Sequence, residues 1–229
     1  MSDTRTALVT GASAGLGRAV ALALAARGWD LIITARHLEP LAQVRDATGA
    51  VAVAGDVADP AHRRSLATVV GDAPRLDLVL NNASALGPSP MPRLADYPTA
   101  ELASVLDTNV IAPLAILQLA LPKLRASGGA AVDISSDAAV NAYEGWGGYG
   151  ASKAALDHLT ATFAAEHPDL HVYSFDPGDM RTAMHQAAFP GEDISDRPEP
   201  ETVVPGLLHL IDTRPPSGRY VASELPVAR

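Results

Sequence analysis

The chain has 229 residues, of which 48% are apolar and only 4% aromatic, with a formal net charge of −9. That length suits one domain with a real core, filled by Ala, Val and Leu rather than by rings. The acidic balance argues against nucleic acid and membrane surfaces as partners, and the absence of cysteine excludes disulfides, thiolate catalysis and Cys-based zinc sites.

Apolar runs of strand length fall at residues 7–9, 31–34, 51–54, 76–80, 130–134 and 172–175, with a weaker one at 220–221. Stretches with helical spacing lie between most of them, among them 16–27, 60–70, 102–124 and 151–166. Continuous apolar strands alternating with helices predict a parallel sheet covered on both faces. With right-handed crossovers this is an α/β, Rossmann-type doubly wound sheet of about seven strands, in a single domain over 1–229. Residues 179–200 mix Pro, Gly and charge, and are expected to form a weakly packed substrate flap. No stretch is expected to span a bilayer, and no basic region followed by a long apolar run opens the chain. A cytoplasmic protein is the expectation.

The first strand runs into the first helix through Thr10-Gly11-Ala12-Ser13-Ala14-Gly15-Leu16-Gly17. A plain tight turn is one reading. The other is a phosphate cradle, because a glycine turn at a helix N-terminus offers free N–H groups and the positive end of the helix dipole. Gly11, Ser13, Gly15, Leu16 and Gly17 are the candidate contacts. After the second strand stand Ala35 and Arg36. An acidic side chain here would accept from the ribose 2′-hydroxyl of NAD and repel a phosphate. Arg36 instead offers donors matched to a 2′-phosphate, so NADP (NADPH) is the expected cofactor.

Further along, "NNA" at 81–83 follows a strand, "TNV" places Asn109 in a helical stretch, and Ser136 closes the fifth strand. Tyr149 and Lys153 in "YGASK" stand four apart, on one helix face. Singly, these residues read as turn formers, a helix-bending amide, a cap and a surface pair. Their order together asks for more.

On these residues the chain resembles the short-chain dehydrogenase/reductase family, in its short single-domain branch, over roughly residues 6–182. The stretch 81–94 is loosely similar to small reductases of the sepiapterin- or benzil-reductase kind. The resemblance implies a catalytic set of Asn109, Ser136, Tyr149 and Lys153. It also implies cofactor contacts from Asp56 and Val57 at the adenine, from Asn82 and Ala83, from Tyr149 and Lys153 at the ribose, and from Pro177, Gly178 and Thr182 at the nicotinamide. Two departures stand out: Ser84 replaces a common Gly, and Ala14 stands where many NADP-preferring members carry Lys or Arg.

The residue types suit hydride reduction of a carbonyl, or the reverse. A proton donor is needed at the developing alkoxide, and an unperturbed Tyr, at about 10, is a poor one near neutrality. The Lys153 ammonium and an oxidised nicotinamide are expected to lower that value. Ser136 would hold the carbonyl oxygen, and Asn109 would anchor water leading protons to Lys153. The alternative is a silent NADP(H)-binding regulator, against which the complete acid–base set speaks.

Of the seven histidines, His185 reads first as a solvent-exposed loop residue and second as a substrate contact. No metal-ligand spacing links them, so no metal is expected. Trp146 reads either as a pocket border or as loop packing, and Met180 and Met184 as adaptable lining. Leu114, Leu117, Leu121, Leu156, Leu159 and Phe163 exceed what one sheet face needs to cover, and the family resemblance implies a homodimer or homotetramer through their helices. The partner is otherwise a small-molecule carbonyl or alcohol.

Overall fold

A computed structural model describes residues 4–226. Seven strands form one all-parallel sheet: β1 (Thr6–Thr10), β2 (Asp30–Ala35), β3 (Val51–Ala54), β4 (Leu78–Asn81), β5 (Ala130–Ile134), β6 (His171–Asp176) and β7 (Gly218–Val221). Their spatial order is β3-β2-β1-β4-β5-β6-β7, so the order reverses between β1 and β4. In a doubly wound sheet that reversal opens a crevice at the carboxyl ends of the strands.

The apolar runs explain the two layers. Successive side chains of a strand point to opposite faces. Ala7, Val9, Ile33, Leu78, Leu80, Val132 and Phe175 therefore face one core, and Leu8, Ile32, Val79, Ala131 and Val172 the other. The first face is covered by α1 (Gly15–Ala26), α2 (Leu38–Thr48) and α8 (Val204–Thr213). The second is covered by α3 (Pro60–Asp72), α5 (Ala112–Ser127) and α6 (Gly147–Glu166). Each fully buried Val, Leu or Ile stabilises the fold by roughly 1.5–3 kcal/mol.

The helical stretch expected at 102–124 is a longer run from Thr99 to Ser127, in three parts. It comprises α4 (Thr99–Leu106), a wider π turn over Asp107–Ile111, and α5. By length and a mean hydropathy of 1.6 over its most apolar window, this run meets the composition test for a membrane span. The expectation that no stretch would do so is corrected. Ile116, Leu117, Ala120 and Leu124 of the same run pack into the sheet. α6 starts at Gly147, four residues earlier than the spacing suggested, because Gly147, Gly148 and Gly150 blur the apolar pattern there.

Segment 179–200, expected to be a flap, is mostly exposed, with Ala188 of α7 (Ala183–Ala188) and Pro200 its buried residues; Phe189 lies 5.8 Å from the Trp146 ring. The segment's ends are tied by Arg181 N–H donating to the Pro198 carbonyl and by an Arg181–Glu199 ion pair. Of the six supposedly surplus apolar residues, Leu117, Leu156 and Phe163 are inside the chain's own core, whereas Leu114, Leu121 and Leu159 are half-buried.

Candidate active site

The crevice at the strand ends is a cavity of about 280 Å³, one wall of which is the glycine loop. Gly11 has φ +65°, and a Cβ there would lie 2.7 Å from Asn82 Nδ2. A Cβ on Gly17 would lie 2.4 Å from the Gly11 carbonyl oxygen. Both positions thus admit only glycine, by conformation at the first and by packing at the second. Asn82 holds the loop from behind, its side-chain amide donating to the Thr10 and Gly11 carbonyls at 3.0 and 3.2 Å. The Thr10 hydroxyl accepts from the N–H groups of Asn82 and Ala83, both at 3.0 Å. Ala14 starts α1 without a side-chain cap, so the first N–H groups of the helix face the cavity side free of an internal acceptor.

These features fit a dinucleotide. Gly11, Gly15, Leu16, Asn82, Ala83, Pro177, Gly178 and Thr182 all line the cavity. The Ser135 hydroxyl also lines it, buried and without a hydrogen-bond partner among the described residues. Ser13, Arg36, Asp56 and Val57 lie outside that lining. Arg36 is exposed at the end of β2, with no ion pair among the described residues. One Asp56 oxygen accepts from Ala58 N–H at 2.9 Å, leaving the other carboxylate oxygen for a ligand. The Val57 side chain is buried in the second core, so only its backbone could reach an adenine.

Ser136, Tyr149 and Lys153 share the opposite wall. Burial dominates the chemistry of the last two. Tyr149 is 9% exposed, and its hydroxyl is pushed up to about 12, mainly by loss of hydration. Hydrogen bonding by Ser84 and Ser136 works the other way, while Asp176 and Asp137 add to the rise. Within the chain itself the direction is thus the opposite of the lowering expected from Lys153. Lys153 is 2% exposed and pulled down to about 8 by burial, against which the carboxylates of Asp133 and Asp157 act. It is still mostly an ammonium at neutral pH. Its Nζ donates to the Ile134 carbonyl at 2.7 Å and stands 5.5 Å from the centre of the Tyr149 ring.

Asn109 is fully buried and does not line the cavity. Its Oδ1 accepts from Ala85 N–H at 2.7 Å and from the Ser84 hydroxyl at 3.2 Å. Its Nδ2 donates to the Ala85 carbonyl and the Ser152 hydroxyl at 2.8 and 2.9 Å. That fills the amide's hydrogen-bonding capacity and leaves the side chain nothing to offer a water beside Lys153. The π turn carries Asn109 toward these partners. Ser84 links this network to Tyr149, so the departure from Gly places a second hydroxyl beside the phenol.

His185 is also corrected. It sits on α7, 9% exposed at the side chain, and lines the cavity with Trp146, Met180 and Met184. Trp146 packs edge-on to Tyr149 at 5.8 Å, so it both borders the pocket and holds the loop.

Two charged residues escaped sequence reasoning. Asp133, buried in β5, accepts from Asn81 at 2.8 Å and Thr160 at 2.7 Å, and burial raises its carboxyl. Arg219 on β7 reaches across three elements: it donates to Asp176 at 2.7 Å, to the Ser136 carbonyl at 3.1 Å and to Asp157 at 3.2 Å. No motif marks Arg219, because its partners lie 43 to 83 residues away. Arg219→Met should leave the Asp176 charge uncompensated beside Tyr149, raising the phenol further. The pH profile of alcohol oxidation should then rise about one unit later, whereas Asp176→Asn should move it earlier. Unchanged profiles in both folded variants would remove this role.

A nucleotide-fitting crevice with a Tyr/Lys pair and a serine on the facing wall defines a Rossmann-type oxidoreductase. The family model for short chain dehydrogenases matches residues 5–193. The chain belongs to the short-chain dehydrogenase/reductase family. It is 35% identical over 176 residues to the short chain dehydrogenase asqE of Emericella nidulans, covering 71% of this chain and 64% of that protein. It is 34% identical over 199 residues to sepiapterin reductase of Mus musculus, covering 79% of this chain and 76% of the relative. A short chain dehydrogenase from Shigella flexneri complexed with NADP superposes with a TM-score of 0.89 at 33% identity, covering 96% of this chain and 97% of the other.

Proposed function

We propose that this protein is an NADPH-dependent carbonyl reductase, able to run in reverse as an alcohol dehydrogenase. The observation that carries the reading is the meeting of Ser136, Tyr149 and Lys153 with the glycine loop across one cavity. The reduced nicotinamide, when bound, supplies the hydride. The Ser136 hydroxyl holds the carbonyl oxygen, and the Tyr149 O–H gives its proton to the alkoxide as it forms. Lys153 stabilises the phenolate left behind and has N–H groups to spare for ribose hydroxyls, which fixes orientation. Asn109 acts through Ala85 and Ser152, as a positioning residue. Loss of NADPH absorbance with a panel of ketones, diketones and quinones tests the reading. NADPH binding without turnover of any of them would favour a silent regulator.

Cofactor choice rests on Arg36 at an open site with no neighbouring carboxylate on Ala35. A charge-assisted bond of about 1.5–3 kcal/mol gives roughly a ten- to hundred-fold preference for NADP(H). Arg36→Ala should erase most of it by weakening NADPH while leaving NADH nearly unchanged. Equal efficiency with both cofactors in the unmodified protein would refute the assignment. We also infer a homo-oligomer, a dimer or tetramer. Half-buried Leu114, Leu121 and Leu159, with Ile111 at 48% exposure, leave apolar surface on the helices that carry Asn109 and Tyr149.

A further inference from the structure

The charges around the cavity do not balance. Lys153, His185, Asp137, Asp176 and Asp179 border it, and among the described residues no arginine does. Lys153 is buried and held by the Ile134 carbonyl at 2.7 Å, in the cofactor half of the cavity in the reading above. Asp176 is bonded by Arg219 at 2.7 Å. Asp179 faces Arg197 at 3.5 Å and His185 at 3.7 Å. Asp137 has only hydroxyl partners: it accepts from Ser136 at 3.1 Å and from Tyr143 at 2.8 Å, with no cation paired to it among the described residues. Its charge bears on both Tyr149 and Tyr143. One uncompensated carboxylate thus stands beside the serine assigned to hold the carbonyl.

The rest of the substrate half is apolar. Leu86, Trp146, Met184 and Ala188 line it, with Phe189 packed behind against Trp146. Such walls favour a flat apolar body by area burial. An anionic group drawn into the mouth would lose hydration and meet Asp137 without finding a free cation among the described residues.

Resting on the carbonyl-reductase reading, we propose that the site takes carbonyl compounds with an apolar, ring-sized body and no anionic group, and that Asp137 turns anions away. Like-charge repulsion across a half-open mouth amounts to about a ten-fold loss in kcat/KM. Added salt should shrink it.

The test uses 1-phenyl-1,2-propanedione and its para-carboxylate and para-aminomethyl derivatives, with NADPH and the full chain. Expected is an efficiency for the carboxylate about ten-fold below the neutral compound, with the ammonium compound at or above it. In Asp137→Asn the ratio of neutral to carboxylate should fall to about two. The ratio is read because Asp137 also touches Ser136. A carboxylate reduced as well as the neutral compound by the unmodified protein would overturn the proposal, as would an unchanged ratio in the variant. If none of the three is reduced while other carbonyls are, the preference for a ring-sized body is overturned; if no ketone, diketone or quinone is reduced, the reductase reading fails. The affinities of benzoate, benzamide and benzylammonium, read by quenching of Trp146 fluorescence, then decide the charge preference alone. Weaker benzoate supports it, and equal affinities overturn it.

Discussion

Tyr149→Phe should bind NADPH within about three-fold of the unmodified protein and lose turnover by about 10²–10⁴-fold, the range of general acid catalysis. The reason is local. The ring stays packed edge-on to Trp146 at 5.8 Å, so the wall of the cavity survives, and only the proton donor is removed. Ser136 cannot replace it, because an aliphatic hydroxyl is a far weaker acid than a phenol and its one proton is needed to hold the carbonyl oxygen. The pH dependence has a defined sign. With the hydroxyl at about 12 it is protonated across the neutral range, as reduction requires. Oxidation requires the phenolate, whose fraction grows tenfold per pH unit below that value. Oxidation by the unmodified protein should therefore rise with pH, and the Phe variant should lose that rise. A variant keeping more than about a tenth of the activity would show that another group gives the proton.

Lys153→Ala should cost about 10²-fold or more in turnover and weaken NADPH as well, since one ammonium is assigned two tasks. Removing it takes the positive charge from beside the phenol and leaves the Ile134 carbonyl without its 2.7 Å donor. It also leaves the buried Asp133 carboxyl without the nearby cation that favours its charged form. The residual oxidation should start at a higher pH than in the unmodified protein, because the phenolate loses its counter-charge. The titration of Lys153 itself gives a second sign. Burial lowers it from 10.5 to about 8, so between those values the unfolded chain holds a proton that the folded chain has released. That group makes stability rise with pH across the window, and the variant should lose this contribution. NADPH affinity and a pH profile both equal to those of the unmodified protein would refute the double role.

Much of the frame was legible because it is written in near-neighbour pattern. Strand-length apolar runs alternating with helical stretches determined a parallel sheet covered on both faces, and all seven runs became strands, with ends shifted by a residue or two. The glycine loop was readable because Gly11, Gly15 and Gly17 stand at a strand–helix junction. Tyr149 and Lys153 were readable because four residues on a helix place them on one face. Three helices, α2, α7 and α8, were passed over: an exposed Leu38 and a six-residue span give the first two a weak period, and Pro205 and Gly206 interrupt the start of the third.

What the sequence by itself determined is thus the sheet, the turn that fits a phosphate and the residues able to run acid–base chemistry. Only the tertiary structure decided their chemical state and company. Desolvation depends on everything packed around a group, so the opposite shifts of Tyr149 and Lys153 have no local signature. Hydrogen-bond partners are fixed by the fold as well: Asn109 turns to Ala85 and Ser152, 24 and 43 residues away, rather than to the cavity. Arg219 joins Asp176, Ser136 and Asp157 only because parallel strands bring β5, β6 and β7 side by side and α6 packs against them. Among the described residues the same geometry leaves Asp137 without a cation, for charge compensation is a matter of distance in space and not along the chain.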